Sequence, residues 1–194
     1  MTRDAAATVA RDVEARLAEA GDPASAAAQR AYMKSAMRFH GVPTKVLHAE
    51  AKRIAVEHPD LDHDALIAVV RALWDTEWWD LRSVGISLLD RKQKKLLGPA
   101  DLDLVVGLCR DAACWAHVDE LAAHVIGGIL RRHPREKTRL SAWAKDPASF
   151  WGRRASLLGQ LRELREGAGD FALFEAIAVP MLGEREFFIR KAIG

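Results

Sequence analysis

Apolar positions recur every three or four residues along nearly the whole chain, the spacing of helices with one buried face. Alternating strand patterns and Asn-Gly or Asp-Gly hairpin signals are missing. Val9, Val13, Leu17 and Ala20 mark a first helix. Asp22-Pro23 opens a second that runs toward Ser35, with Asp22 as N-cap and Pro23 in the first turn. Val42-Pro43 starts a third, which His58-Pro59 stops after Glu57. The pattern then predicts helices over 62–74, 79–90, 100–110, 115–132, 135–145, 149–165, 170–182 and 184–194, about eleven in all. Short helices joined by short loops predict antiparallel pairs stacked as an all-α solenoid, at roughly 30–40 residues per pair. The repeat itself is faint: Leu66, Val70 and Leu73 match Leu102, Val105 and Leu108 only in pattern. A helical bundle is the competing architecture. No linker is evident, so one domain over 1–194 is expected.

Composition narrows the class. Of 194 residues, 49% are hydrophobic and 29% charged, which suits a folded chain with a core. No apolar run reaches membrane-spanning length, and the N-terminus lacks the apolar core of a signal peptide. Cys109 and Cys114 are the only cysteines, too few for a disulfide framework or a zinc knuckle, so a reducing cytoplasm fits. The net charge of +2 is small, but it is unevenly spread. Between Arg131 and Glu166 lie ten basic and four acidic residues, a local excess of +6. A short basic run, Arg91-Lys92-Gln93-Lys94-Lys95, adds to it, whereas residues 1–22 are net acidic. A basic stripe on a near-neutral chain suits a phosphate backbone. Solvated helix faces are the plainer account of any single run.

Trp115 and Asp119 carry the candidate chemistry. Their spacing puts an indole and a carboxylate one helical turn apart on one face. A carboxylate beside an aromatic ring is a poor core filler and a reasonable receptor for a cation. The run Trp151-Gly152-Arg153-Arg154-Ala155 adds guanidinium groups. Adjacent arginines point to different faces, so one is expected in a cleft and the other in a surface ion pair. Taken alone, a tryptophan opening a helix is ordinarily packing and an aspartate one turn on is ordinarily a cap or ion-pair member. Trp74, Trp78, Trp79, Trp143 and Trp151 read as core or interface anchors, and His117 as a surface histidine. No histidine–carboxylate cluster has metal spacing, and no phosphate loop or Ser-His-Asp order is present. Neither a cofactor nor a metal is expected.

The ordered motifs resemble those of the bacterial DNA alkylation-repair family of HEAT-like DNA glycosylases, the AlkD-like proteins. The resemblance begins with Ala31-Tyr32-Met33-Lys34 and Phe39-His40-Gly41-Val42-Pro43-Thr44. It continues through Leu73-Trp74, Trp115-x3-Asp119 and Trp151-x-Arg153-Arg154-Ala155-x-Leu157-Leu158-x-Gln160-Leu161, and ends in Phe187-Phe188-Ile189-Arg190-Lys191-Ala192-Ile193-Gly194. It implies a HEAT-like solenoid with a concave basic cleft and a monofunctional glycosylase that excises N3- or N7-alkylated purines from duplex DNA. It implies Asp119, Trp115 and Arg154 as the catalytic set, with Arg154 gripping a backbone phosphate. Arg153, Trp151, Arg190 and Lys191 would be DNA contacts. A cytoplasmic monomer is expected. In the family the final signature runs on into a second cleft tryptophan, so a longer native chain with one more helix is also expected. Two other readings compete: a non-catalytic relative that binds distorted or branched DNA by shape, and a helical protein–protein scaffold.

Overall fold

A computed structural model describes residues 1–112 and 114–194, with Gln93 described by its backbone alone. The chain is 76% helical and, among the described residues, has no strand, an all-α architecture consistent with a helical-repeat fold. It divides into two compact units, Met1–Leu96 and Leu97–Gly194.

The first unit holds α1 (Arg3–Ala20), α2 (Pro23–Met33), α3 (Thr44–Glu57), α4 (His63–Trp74) and α5 (Trp79–Leu96). Helices α1, α3, α4 and α5 pack on one another around Leu17, Ile54, Leu66, Leu73 and Leu88, all but sealed from solvent. The Asp22 cap forms as the sequence predicts, its carboxylate accepting from the Ser25 N–H at 2.7 Å. Hydrogen bonding from the Ser25 side chain, and then from its N–H, holds the Asp22 carboxyl below the usual value. Helix α2 ends two residues before the expected Ser35, because Lys34 turns into the left-handed region at φ 52°. Helix α5 passes beyond the expected Asp90 to Leu96, where Lys94 and Lys95 complement the negative end of its dipole.

Between α2 and α3 the chain forms a staple. The Arg38 N–H donates to the Glu77 carbonyl and the Trp79 N–H to the Arg38 carbonyl, each at 2.9 Å. The His40 N–H donates to Asp80 Oδ2 at 2.8 Å, and the His40 carbonyl accepts from the Asp22 N–H at 3.0 Å. Gly41 then takes φ +82°, and a Cβ there would stand 2.2 Å from the Asp22 carbonyl oxygen. Only glycine fits both the dihedral and the space. The Phe39-His40-Gly41 motif therefore acts structurally, tying the start of α2 to the start of α5.

The second unit contains α6 (Leu102–Asp111), α7 (Trp115–Glu120), α8 (Gly127–Arg132), α9 (Thr138–Ala144), α10 (Phe150–Leu158), α11 (Leu161–Arg165), α12 (Phe171–Ala178) and α13 (Phe187–Ile193). Helix α10 is the central element: α6, α7, α9, α12 and α13 all lean on it. Two long helices expected from periodicity are interrupted. The 115–132 stretch keeps its course but passes through a π-helical segment, Leu121–Ile126, between α7 and α8. The 149–165 stretch breaks at Gly159–Gln160 between α10 and α11. The two irregularities meet, since a Cβ on Gly127 would lie 2.9 Å from the Gly159 carbonyl oxygen. The backbones approach at that point as only glycine allows.

In the staple, burial holds the His40 imidazole below its usual 6.5 despite the opposing pull of Asp80 and Glu14. Burial likewise raises the carboxyl of Asp80, which is fully shielded. A histidine with a depressed folded-state pKa contributes stability above its unfolded value that is lost as pH falls through it. Denaturation titrations from about pH 7.5 to about pH 5 should show a loss of stability that His40→Asn removes. Asp80, with its raised pKa, titrates in the opposite sense and from a lower starting value of 3.8.

Candidate functional site

The site is assembled in the second unit on α7, α10 and α13. Trp115 and Asp119 lie one turn apart on α7, as their spacing predicts, and both are part-exposed. Ser149 starts α10 by accepting from the Gly152 N–H at 3.3 Å, and this helix delivers Trp151, Arg153 and Arg154. Helix α13 delivers Phe188, Arg190 and Lys191.

The central contact is a fork. Arg154 Nε donates to Asp119 Oδ1 at 2.7 Å and Nη2 to Oδ2 at 2.8 Å. Its third nitrogen, Nη1, donates to the Phe188 carbonyl, and its guanidinium lies 5.8 Å from the centre of the Phe188 ring. The Arg154 side chain is 4% exposed and that of Asp119 is 34% exposed. The guanidinium expected on a backbone phosphate is thus buried, with all three nitrogens committed inside the protein. It holds a carboxylate instead, and the carboxylate is the member of the pair that reaches solvent.

Arg153 turns to the other side. It forms a second fork with Glu184 at 3.1 and 2.9 Å, and its Nη1 donates to the Asp146 carbonyl at 2.8 Å. The division between neighbouring arginines follows the sequence expectation, but the one entering the site is buried, and the Arg153 pair is largely sheltered rather than exposed. Trp151 packs between Phe150 and Phe188, with ring centres 4.3 and 5.1 Å away. Arg190 and Lys191 are exposed, and Lys191 Nζ stands 5.7 Å from the centre of the Trp115 ring.

Several partners carried no sequence signal. Glu184, Asp146 and the Phe188 carbonyl are fixed by packing. Phe188 lies in the last quoted motif, but nothing there marks its carbonyl. His117, expected at the surface, is 1% exposed because its side of α7 faces the core. Trp74, Trp79 and Trp143 are buried as expected, and Trp78 and Trp151 partly so. Both cysteines are buried and outside any disulfide, and burial raises the Cys109 thiol far above its usual range. Among the described residues no group of acidic, His or Cys side chains could hold a metal, and no helix is long and apolar enough to cross a membrane.

The basic stripe is partly spent on internal pairs. Arg131 meets Glu166 at 2.8 Å, Lys137 meets Glu163 at 2.6 Å, and Arg139 meets Asp103 at 3.0 Å and Glu136 at 2.8 Å. Arg132 donates to the Gly128 and Leu97 carbonyls at 2.8 and 3.1 Å. Arg135, Lys145, Arg162 and Arg165 are exposed.

No curated protein matches the chain in sequence. A solved structure described as a predicted DNA alkylation repair enzyme from Enterococcus faecalis shares the fold with a TM-score of 0.75, over 89% of this chain and 79% of that one, at 24% identity. The family model described as DNA alkylation repair enzyme matches residues 13–194, nearly the full length. The chain therefore belongs to the DNA alkylation repair enzyme family.

Proposed function

We propose that this protein is a monofunctional DNA glycosylase that hydrolyses the N-glycosidic bond of N3- or N7-alkylated purines in duplex DNA. The observation that carries the proposal is a part-exposed carboxylate, Asp119, locked by a buried guanidinium one helical turn from an indole. Alkylation at those ring nitrogens makes the purine cationic, and so a good leaving group that needs no strong general acid. As the bond from C1′ to the base breaks, its electron pair passes to the base and neutralises it, while positive charge develops on the sugar. A water oxygen then bonds to C1′ and one of its protons passes to bulk water. Asp119 faces the developing charge and orients the water. Trp115 provides an aromatic wall for the cationic base, worth about 0.5–2 kcal/mol.

Magnitudes set the role of Arg154. A carboxylate about 4 Å from a unit positive charge contributes roughly 4 kcal/mol at an effective dielectric near 20. A guanidinium behind it, about 8 Å from that charge, offsets roughly 2 kcal/mol. The pair therefore acts as an oriented dipole with a net effect of about 2 kcal/mol, roughly thirtyfold in rate. In this scheme Arg154 is a positioning residue: it fixes the carboxylate rotamer and touches neither base nor phosphate.

The direct test is release of 7-methylguanine or 3-methyladenine from methylated duplex DNA by the folded protein. No release would sink the enzyme reading, and binding to junctions without release would favour the shape-binding alternative. Asp119→Asn removes the attractive charge and leaves the guanidinium behind it. Single-turnover cleavage should fall about a thousandfold, with duplex affinity changed only a few-fold. For Arg154→Ala, the salt dependence of duplex binding should keep its slope, since a buried guanidinium releases no counterion. A slope lower by about one would show that Arg154 reaches a phosphate.

A further inference from the structure

The first unit carries a cavity of about 260 Å³ of its own. Ala26, Ala27 and Arg30 of α2 form one side, where the short alanine side chains leave the space, and Arg38, Phe39 and Trp78 form the other. The main chain holds that second side in place. The Arg38 N–H donates to the Glu77 carbonyl and the Arg38 carbonyl accepts from the Trp79 N–H, so Arg38 and Trp78 lie side by side. The Arg38 guanidinium stands 4.1 Å from the centre of the Trp78 ring, and the His40 imidazole stacks on the same indole with ring centres 3.8 Å apart. Only Nη1 of Arg38 is engaged, on the Glu77 carboxylate at 2.7 Å. Both members of that pair are more than half exposed, so the pair contributes little and yields to a stronger anion. Arg30 is exposed and makes no ion pair among the described residues.

We propose that this cavity binds one unstacked nucleotide, its phosphate between Arg30 and Arg38 and its base against the Trp78–Phe39 wall. Guanidinium groups match the oxygens of a phosphate, and aromatic side chains receive a base whatever its sequence. An inorganic anion would leave the aromatic wall bare, and a neutral aromatic would leave both cations unanswered. The cavity has the size of a small-ligand site, and a base stacked within a duplex is not free to enter it. The nucleotide is either free in solution or part of an unpaired strand, and both present the same phosphate and base. The assignment does not rest on the glycosylase reading, and methylpurine release neither supports nor sinks it.

The probes are deoxyadenosine monophosphate, deoxyadenosine, inorganic phosphate and single-stranded oligodeoxyadenylate. Binding is followed by NMR on the indole N–H resonance of Trp78, the one lost in Trp78→Phe. The monophosphate should bind about tenfold tighter than deoxyadenosine or inorganic phosphate. Arg38→Gln and Arg30→Gln should each weaken it about tenfold while leaving deoxyadenosine unchanged. Arg30 lies outside the staple, so its variant tests the phosphate clamp without disturbing the Arg38 backbone. Glu77→Gln removes the competing carboxylate and should tighten the monophosphate about two- to fivefold. An oligomer that binds more tightly than the monophosphate, and weakens in both arginine variants, identifies an unpaired strand as the source. An oligomer that fails to displace the monophosphate identifies the free nucleotide. Monophosphate affinity unchanged in both arginine variants overturns the proposal, as does equal binding of deoxyadenosine or inorganic phosphate, or weaker binding in Glu77→Gln.

Discussion

The second unit is organised around one desolvated charge. A guanidinium cannot shed its proton, and moving such a cation out of water costs several kcal/mol unless acceptors meet it on every side. Arg154, 4% exposed, finds two in the Asp119 carboxylate and a third in the Phe188 carbonyl. Those acceptors come from α7 and α13, so satisfying one side chain of α10 ties three helices together. The same contact freezes the carboxylate in one orientation. Stability and site geometry therefore share a single interaction, and a substitution at either end of the fork disturbs both.

That sharing explains why the charge pattern of the sequence overstates what is open to a ligand. The excess of basic residues between Arg131 and Glu166 is counted within a window. Asp119, Glu184 and Asp103 lie outside the window and neutralise Arg154, Arg153 and Arg139 in three dimensions. The cations left at the surface, among them Arg162, Arg165, Arg190 and Lys191, are the ones available to a phosphate backbone. Long-range pairing is invisible to any local count, whereas local rules survive folding. Asp22 capped α2 as its side chain and the following proline require, and the one-turn register of Trp115 and Asp119 held because both sit on one regular helix.

What the sequence did not disclose depended on approaches between distant segments. The π-helical segment after α7 and the break after α10 meet where Gly127 and Gly159 bring two backbones together. Periodicity alone reads through both, since the apolar spacing barely changes. The adjacent arginines were equivalent on paper, and only the positions of Asp119 and Glu184 decided which entered the site. A surface position is the default for a histidine, yet His117 is buried beside Val118 in the core. The family resemblance named Asp119 and Arg154 together, but it could not say that the two pair with each other.

On the glycosylase reading, the fork also sets which bases can be excised. A carboxylate backed by its own guanidinium is a weaker electrostatic catalyst than a lone carboxylate, with a net effect of about 2 kcal/mol rather than about 4. A gain of that size is far below the 8 kcal/mol or more that enzymes must supply for unactivated reactions. The remainder must come from the substrate, whose positive charge has already weakened the bond to the sugar. A neutral purine brings no such lability and would stay attached even if it reached the same position. Discrimination against undamaged DNA then needs no tight pocket: it follows from pairing a modest catalytic dipole with a leaving group that is already charged.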